Sequence, residues 1–332
     1  MLALLSRNPG GPETLELTEL PMPVPGPGQL LVRVVATALN YPDALMIEDR
    51  YQVKLPRPFV PGAEMSGLVE AVGPDVEGFA PGDRVFGTGF GGLAAYALLD
   101  HRRCFQLPEA LPFEAAAGLL VTYGTAFHAL EDHGALKPGE TLLVLGAAGG
   151  VGIAAVEIGK ALGARVVGAV SSEQKADVVR AAGADEVLVY PRRLDDGPQA
   201  RELADGLKKA VGPQGADVVF DPLGGPYAEP ALRALAWEGR YLVIGFTAGI
   251  PSIKANLLLL RAAQARGVYW GNWTERNPGP FRAQIGRLLD LWQVGRIAPT
   301  VSRILPLAQA ADGFRALSAR EATGKIVVRV GE

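Results

Sequence analysis

The chain has 332 residues, room for about two domains of ordinary size, and its 32 basic against 35 acidic residues leave a net charge of −3, which excludes a nucleic-acid-binding stripe or an acidic tail as its main feature. An apolar share of 48% excludes global disorder. One cysteine, Cys104, excludes an intramolecular disulfide framework and a four-Cys zinc lobe, and the three histidines, His101, His128 and His133, form no His-Glu-x-x-His pair.

The first residues carry no basic region and too short an apolar run for a secretion signal, so a soluble cytoplasmic protein is expected. The first third reads as β-rich. Residues 30–39 form a strand run, residues 66–73 a second, residues 81–86 a turn entering a third, and residues 94–99 a fourth. Turn residues about ten apart set the rhythm of a small barrel or sandwich. Residues 113–133 are helix-like and rich in alanine. His128 and His133, five apart on that helix, are expected on faces too far apart to share a metal, in core or surface roles.

Strict alternation follows. Strands are expected at residues 141–146, Arg165–Val170, residues 186–190, Ala216–Asp221, residues 240–246 and residues 267–270. Helices are expected at residues 150–162, 174–182, 200–210 and 227–237. Six strands with crossovers are the content of two βαβαβ halves, an α/β fold with a doubly wound parallel sheet. The apolar run Val218-Val219-Phe220 suits a strand covered on both faces. The longest apolar stretch, residues 142–158, is broken by glycines and carries Glu157, so no membrane span is expected. After residue 270 come a Pro-rich loop, a helix at 281–293, a strand at 301–304, a helix, and a last strand at 325–330. This tail has no need of the parallel sheet and suits a return to the first domain.

The strongest local signal runs from Leu142 to Gly152, a strand, a Gly-rich turn and a helix start, with the pattern Ala147-x-Gly149-x-x-Gly152. Small residues let the backbone at Ala148, Gly149, Gly150 and Val151 approach a pyrophosphate, and the helix N-terminus offers open N–H groups. An NAD site carries an acid about 20 residues on, at the tip of the second strand. Here that tip reads Ser171-Ser172-Glu173-Gln174-Lys175, with no acid on the tip itself. Ser171 and Lys175 suit a 2′-phosphate, and Tyr190, at the tip of the third strand, suits stacking on adenine or a bond to the phosphate. NADP(H) is therefore favoured, although a solvated helix face is an open reading of Lys175.

Taken together, Ala38-Leu-Asn-Tyr-Pro-Asp43, Pro61-Gly-Ala-Glu-Met-Ser-Gly67, Pro81-Gly-Asp-Arg-Val85, Val121-Thr-Tyr-Gly-Thr-Ala126, Gly146 to Gly152, Asp221-Pro-Leu-Gly-Gly225 and Ala322-Thr-Gly-Lys325 resemble the medium-chain dehydrogenase/reductase superfamily. Within it the chain resembles the zinc-independent quinone oxidoreductase branch, the zeta-crystallin-like group, over nearly its whole length. The resemblance implies a GroES-like β-rich barrel domain plus a Rossmann doubly wound parallel six-stranded sheet. The expected division is residues 1–120 for the first part of the catalytic domain, 121–265 for the NADP-binding domain, and 266–332 for the return. It also implies a homodimer, often joined through the last strand of the Rossmann sheet.

The zinc branch places Cys near Asn40 and Gly-His-Glu where this chain has Gly62-Ala63-Glu64, so no metal is expected. Without an electrophile, alcohol and carbonyl chemistry is disfavoured, and a quinone or an α,β-unsaturated carbonyl is the expected acceptor of hydride from NADPH. By the resemblance, Asn40, Asp43 and Tyr51 are catalytic. Thr125, Leu223, Phe246, Thr247 and Lys325 meet the cofactor, and Tyr41, Tyr51 and Trp270 line the substrate pocket. Asn40 and Asp43 read equally as turn and helix caps, and Trp270 as core. The proton comes from solvent or from Tyr51. Two alternatives stay open. An enoyl-thioester reductase would need a basic patch, which Arg192 and Arg193 do not supply. A non-catalytic NADPH-binding protein with a crystallin-like or RNA-binding role is opposed by the net charge.

Overall fold

The computed structural model describes residues 1–194 and 197–331. The chain divides into two compact units, Met1–Val121 with Pro299–Glu332, and Thr122–Ala298.

In the first unit β1 (Leu2–Ser6) and β2 (Leu15–Glu19) pair as an antiparallel ribbon. The long strand β3 (Gln29–Leu39) runs into helix α1 (Tyr41–Ile47). β4 (Glu64–Val72), β5 (Arg84–Thr88), β6 (Tyr96–Asp100) and β7 (Cys104–Gln106) follow, then helix α2 (Phe113–Ala117). β3 pairs antiparallel with both β4 and β6, and register shifts at Leu31/Val32 and Val34/Ala36 bend the β3–β4 pair. Leu30, Val32 and Val34 alternate inward onto Met65, Val69, Val85, Leu99 and the buried Cys104, as a half-covered strand requires.

The chain passes into the second unit along helix α3 (Leu120–Phe127), which continues as a π-helical turn, His128–His133. The single helix expected over residues 113–133 is therefore three pieces, broken first at Gly118, which caps α2. The strands of this unit are β8 (Thr141–Leu145), β9 (Arg165–Val170), β10 (Glu186–Val189), β11 (Ala216–Asp221), β12 (Leu235–Val243) and β13 (Gln264–Gly267). All pair in parallel in the order β10-β9-β8-β11-β12-β13, the doubly wound order of a dinucleotide-binding sheet. Crossovers include α4 (Gly150–Ala161), α5 (Glu173–Ala181), α6 (Pro198–Val211) and α7 (Ala228–Arg233). α8 (Ala255–Leu259), α9 (Trp270–Arg276) and α10 (Pro278–Gln293) complete the unit.

Two expectations for this unit are corrected. The last strand is Gln264–Gly267 and not residues 267–270, where Trp270 instead opens α9. The helix expected at residues 227–237 ends at Arg233, and Trp237 lies in β12. The chain then returns to the first unit through β14 (Val301–Pro306), helix α11 (Ala310–Ser318) and β15 (Lys325–Arg329), with β15 antiparallel to β3. The return begins at Pro299, not at residue 266. Residues 266–298 stay with the second unit: Trp270 packs against Gly124, Arg287 stacks on Phe127 and pairs with Glu131, and Ala298 N–H donates to Glu157.

Candidate active site

In the second unit the carboxyl ends of the strands carry the loops that the sequence singles out. After β8 the chain turns at Gly146, whose φ of +57° favours glycine, and an added Cβ would stand 3.0 Å from a Leu223 methyl. Gly149 is the N-cap of α4, and the amides of Gly150, Val151 and Gly152 form a first turn without intrahelical acceptors, at the positive end of the helix dipole. A Cβ on Gly152 would stand 2.4 Å from the Gly146 carbonyl oxygen, so helix and loop are in direct contact there. A Cβ on Gly149 would meet nothing nearer than 3.5 Å, which leaves the space before the helix open. Ala148 is buried beneath this turn. The arrangement fits a pyrophosphate.

The neighbouring loops are held by their own hydrogen bonds. The buried Asp221 accepts from the N–H groups of Leu223 (2.7 Å) and Gly224 (2.9 Å) through Oδ1, and from the Tyr241 hydroxyl through Oδ2. Burial raises its pKa against the pull of those three bonds. Thr247 donates its N–H (3.3 Å) and its hydroxyl (3.1 Å) to the Pro222 carbonyl, and Ala248 N–H donates to Leu223 O at 2.7 Å. Leu223, the exposed Phe246 and Thr247 are thus brought onto one pair of loops.

At the tip of β9, Ser171 is half-buried and Ser172 caps α5 by accepting from Lys175 N–H at 3.3 Å. Lys175 is half-buried in the first turn of α5, while Glu173 is exposed and faces Arg180 at 3.9 Å. Tyr190 follows β10, but its ring lies in the core against Tyr227, centroids 5.1 Å apart. The residue is 7% exposed.

The first unit buries a second polar group. Asn40 caps α1, its N–H donating to Asp43 Oδ2 (2.8 Å), and Asp43 N–H donates to the Asn40 carbonyl (3.0 Å). Lys325, the first residue of β15, donates from Nζ to Glu64 Oε1 (2.6 Å), Asn40 Oδ1 (2.7 Å) and the Leu39 carbonyl (3.3 Å). Asn40 Nδ2 donates to Glu64 Oε1 (2.9 Å) and, at 3.4 Å, to the Ala38 carbonyl. Glu64 Oε2 accepts from Val121 N–H at 2.8 Å. Lys325 and Glu64 are 3% and 1% exposed, so the pair is desolvated. Burial pushes the Asp43 carboxyl up to about 7, against the Asn40 N–H bond and the Lys325 charge and together with the repulsion of Glu64.

Lys325 has all three ammonium hydrogens engaged inside the unit. Asn40 has both amide hydrogens engaged, and with Asp43 it caps α1. Glu64 was missed as a site residue. Its strand carries a second acid, Glu70, and its partner Lys325 stands 261 residues away, so nothing local in the sequence marks it.

Trp270 is also corrected. It is 5% exposed, its indole N–H donates to Gln284 Oε1 at 2.8 Å, and Gly124 lies against its ring, so it belongs to the core and not to a substrate wall. Tyr41 and Tyr51 are half-buried, Tyr41 at the first position of α1 and Tyr51 on the loop after it. Thr125 is half-buried on α3. The two histidines do share a face. The π-helical turn sets residues five apart in line, and His133 Nε2 stands 3.2 Å from His128 Nε2.

Two family models match the chain, the alcohol dehydrogenase GroES-like domain over residues 26–109 and the zinc-binding dehydrogenase over residues 150–284. Barrel, parallel sheet and helix-capped glycine turn together define a medium-chain dehydrogenase/reductase. Quinone oxidoreductase-like protein 2 of Bos taurus is 38% identical over 311 residues, 93% of this chain and 86% of that protein. A mycobacterial protein solved in complex with NADPH superposes with a TM-score of 0.91 at 30% identity, covering 99% of this chain and 100% of that one. The Escherichia coli quinone oxidoreductase, also solved with NADPH, gives 0.90 at 26% identity with the same coverage. The chain belongs to the quinone oxidoreductase family of the medium-chain dehydrogenases/reductases.

Proposed function

We propose that this oxidoreductase is an NADPH-dependent, zinc-free reductase that passes hydride to a quinone or an α,β-unsaturated carbonyl. The observation that carries the reading is the open first turn of α4 at Gly149–Gly152, followed by a β9 tip with Ser171 and Lys175 in place of an acid. NADPH supplies the hydride when bound. The amides of Gly150 and Val151 hold its pyrophosphate, and Ser171 and Lys175 hold the 2′-phosphate, with the Tyr190 hydroxyl beside them. Thr125, Leu223, Phe246 and Thr247 line the nicotinamide end. Tyr51 and Tyr41 border the acceptor, and Tyr51 hydroxyl or solvent returns the proton.

The zinc-free reading is supported by the Lys325 ammonium, bonded to Glu64 and Asn40 where the zinc branch carries ligands. A positive charge in that place repels a second cation. A quinone or enone needs less electrophilic help than a ketone, because the hydroquinone or enolate formed is held by a few hydrogen-bond donors. The single buried Cys104 suits a reducing cytoplasm. The enoyl-thioester reading gains nothing from the basic cavity of about 390 Å³ lined by Lys208, Lys209, Arg233 and Arg261. That cavity lies at the amino ends of β11, β12 and β13, the wrong edge of the sheet for the cofactor loops.

The test is initial-rate oxidation of NADPH and NADH with 1,4-benzoquinone, a 1,2-naphthoquinone, a simple enone and crotonyl-CoA, before and after chelation. Quinone or enone turnover that prefers NADPH and survives chelation supports the proposal. Lys175→Ala should raise KM for NADPH at least tenfold and leave KM for NADH nearly unchanged. Equal effects on both cofactors would remove the 2′-phosphate assignment. Bound NADPH that no acceptor oxidises would point to a non-catalytic role.

A further inference from the structure

Asp221 closes β11 inside the second unit, 1% exposed, and among the described residues no cation pairs with it. Its carboxyl is held only by the loop that it opens and by the neighbouring strand. Oδ1 accepts the N–H groups of Leu223 (2.7 Å) and Gly224 (2.9 Å), and Oδ2 accepts the hydroxyl of Tyr241, which is fully buried in β12. Two successive N–H groups on one carboxyl oxygen fold the chain back within three residues.

That turn fixes what lies around it. The Leu223 side chain reaches the turn after β8, 3.0 Å from the Cβ position of Gly146. The Leu223 carbonyl accepts from Ala248 N–H, and the Gly249 carbonyl from Gly225 N–H, both at 2.7 Å. The Pro222 carbonyl takes the N–H and the hydroxyl of Thr247. A Cβ on Gly224 would stand 2.5 Å from Gly249 O, and one on Gly225 2.3 Å from Ala248 O, so the two loops touch backbone to backbone. The loops after β8, β11 and β12, three adjacent strands, are thus joined through one turn. The wiring leaves a single donor open. From Leu223 to Gly225 and from Ile244 to Gly249, every backbone N–H has an acceptor among the described residues except that of Phe246.

We infer that Asp221, backed by Tyr241, is a positioning residue for the nicotinamide half of the cofactor. It shapes the loop pair that presents Phe246 N–H with the Leu223 and Thr247 side chains, and it touches no ligand itself. The inference rests on the proposed placing of the nicotinamide end on these loops. The phosphate-binding parts are wired separately, since neither the first turn of α4 nor the tip of β9 bonds to Asp221 or Tyr241. An ionised carboxyl suits the task, because hydrogen bonds to a charged acceptor are the strong ones and hold a loop against solvent.

The test compares two ligands on the full chain by calorimetry. One is NADPH, and the other is adenosine 2′,5′-bisphosphate, which keeps the 2′-phosphate and lacks the nicotinamide. Asp221→Ala should weaken NADPH binding by about tenfold or more and adenosine 2′,5′-bisphosphate by less than about twofold. Asp221→Asn, whose Oδ1 still accepts both N–H groups, should recover most of that loss. Tyr241→Phe keeps the ring in the core and should show the same split, at about threefold or more for NADPH, so the test stands even where Asp221→Ala does not fold. Equal losses for both ligands, or undiminished NADPH binding in the folded variants, would overturn the inference and leave Asp221 a structural residue of the sheet. Failure of the NADPH reading shows in the wild-type chain instead, as neither ligand binding, and takes this inference with it.

Discussion

A lysine at the start of a buried strand and a glutamate at the start of another make the tightest energetic commitment in the first unit. Removing Lys325 leaves the Glu64 carboxylate in the interior with two N–H donors and no counter-charge. Loss of one partner of such a pair costs about 3–5 kcal/mol. Lys325→Met should therefore lower urea stability by that amount, and adding Glu64→Gln should recover part of it. A loss under about 1 kcal/mol for the single variant would show that the pair is not isolated from water. Asp43 acts through protons instead. Its carboxyl is pushed up to about 7 by burial, while the unfolded chain has the ordinary value near 3.8. Between those values the native state holds a proton that the unfolded state has released, so this group's contribution falls as pH rises from about 4 to 7. Across the window the loss is on the order of 4 kcal/mol. Asp43→Asn abolishes the titration, so the variant should gain stability relative to wild type between pH 5 and pH 8 in urea unfolding. A constant difference at the two pH values would place the Asp43 carboxyl in contact with water.

The cofactor turn separates two glycines that the sequence pattern alone treats alike. Gly149 has a φ of −74° and open space around a built Cβ, so Gly149→Ala should change folding stability by less than about 0.5 kcal/mol. On the proposed site the same methyl would stand in the approach of the pyrophosphate, so NADPH affinity should fall at least tenfold. Gly152→Ala instead drives a Cβ to 2.4 Å from Gly146 O and should lower stability and affinity together. Thermal unfolding beside an NADPH titration of the two variants checks this, and equal stability losses would mean the loop is tighter than its glycines indicate. The glycine pattern was legible because it rests on local sterics, and so were β9 and β11, whose apolar runs are covered on both faces. β13 was misplaced because its residues Gln264-Ala-Arg-Gly are all exposed and carry no apolar period, while the apolar stretch after it supplies the start of α9. The π-helical turn was invisible because residues five apart share a face only once the helix has widened, and no residue type announces that. The Lys325–Glu64 contact was hidden by 261 residues of sequence separation.

The parallel sheet ends in an open edge. β13 is the outermost strand, and all four of its residues are exposed. An uncovered edge offers unpaired N–H and C=O groups to another chain. The apolar residues beside it are exposed as well, Leu259 at 80%, Leu260 at 67% and Trp237 at 67%. The Glu238 N–H donates to the Arg261 carbonyl at 2.8 Å, which ties the stretch of β12 that carries Trp237 to the residues after α8. Apolar area of this kind next to an open strand suits a two-fold pairing of two copies, edge to edge. We propose that the protein is a homodimer joined here. Leu259→Asp with Leu260→Asp would put two charges per chain into that contact without touching either unit's core. In size-exclusion chromatography with light scattering wild type should run as a dimer and the double variant as a monomer, and thermal unfolding should depend on protein concentration for wild type and not for the variant. A wild-type monomer, or a dimer that survives both aspartates, would move the interface off this edge.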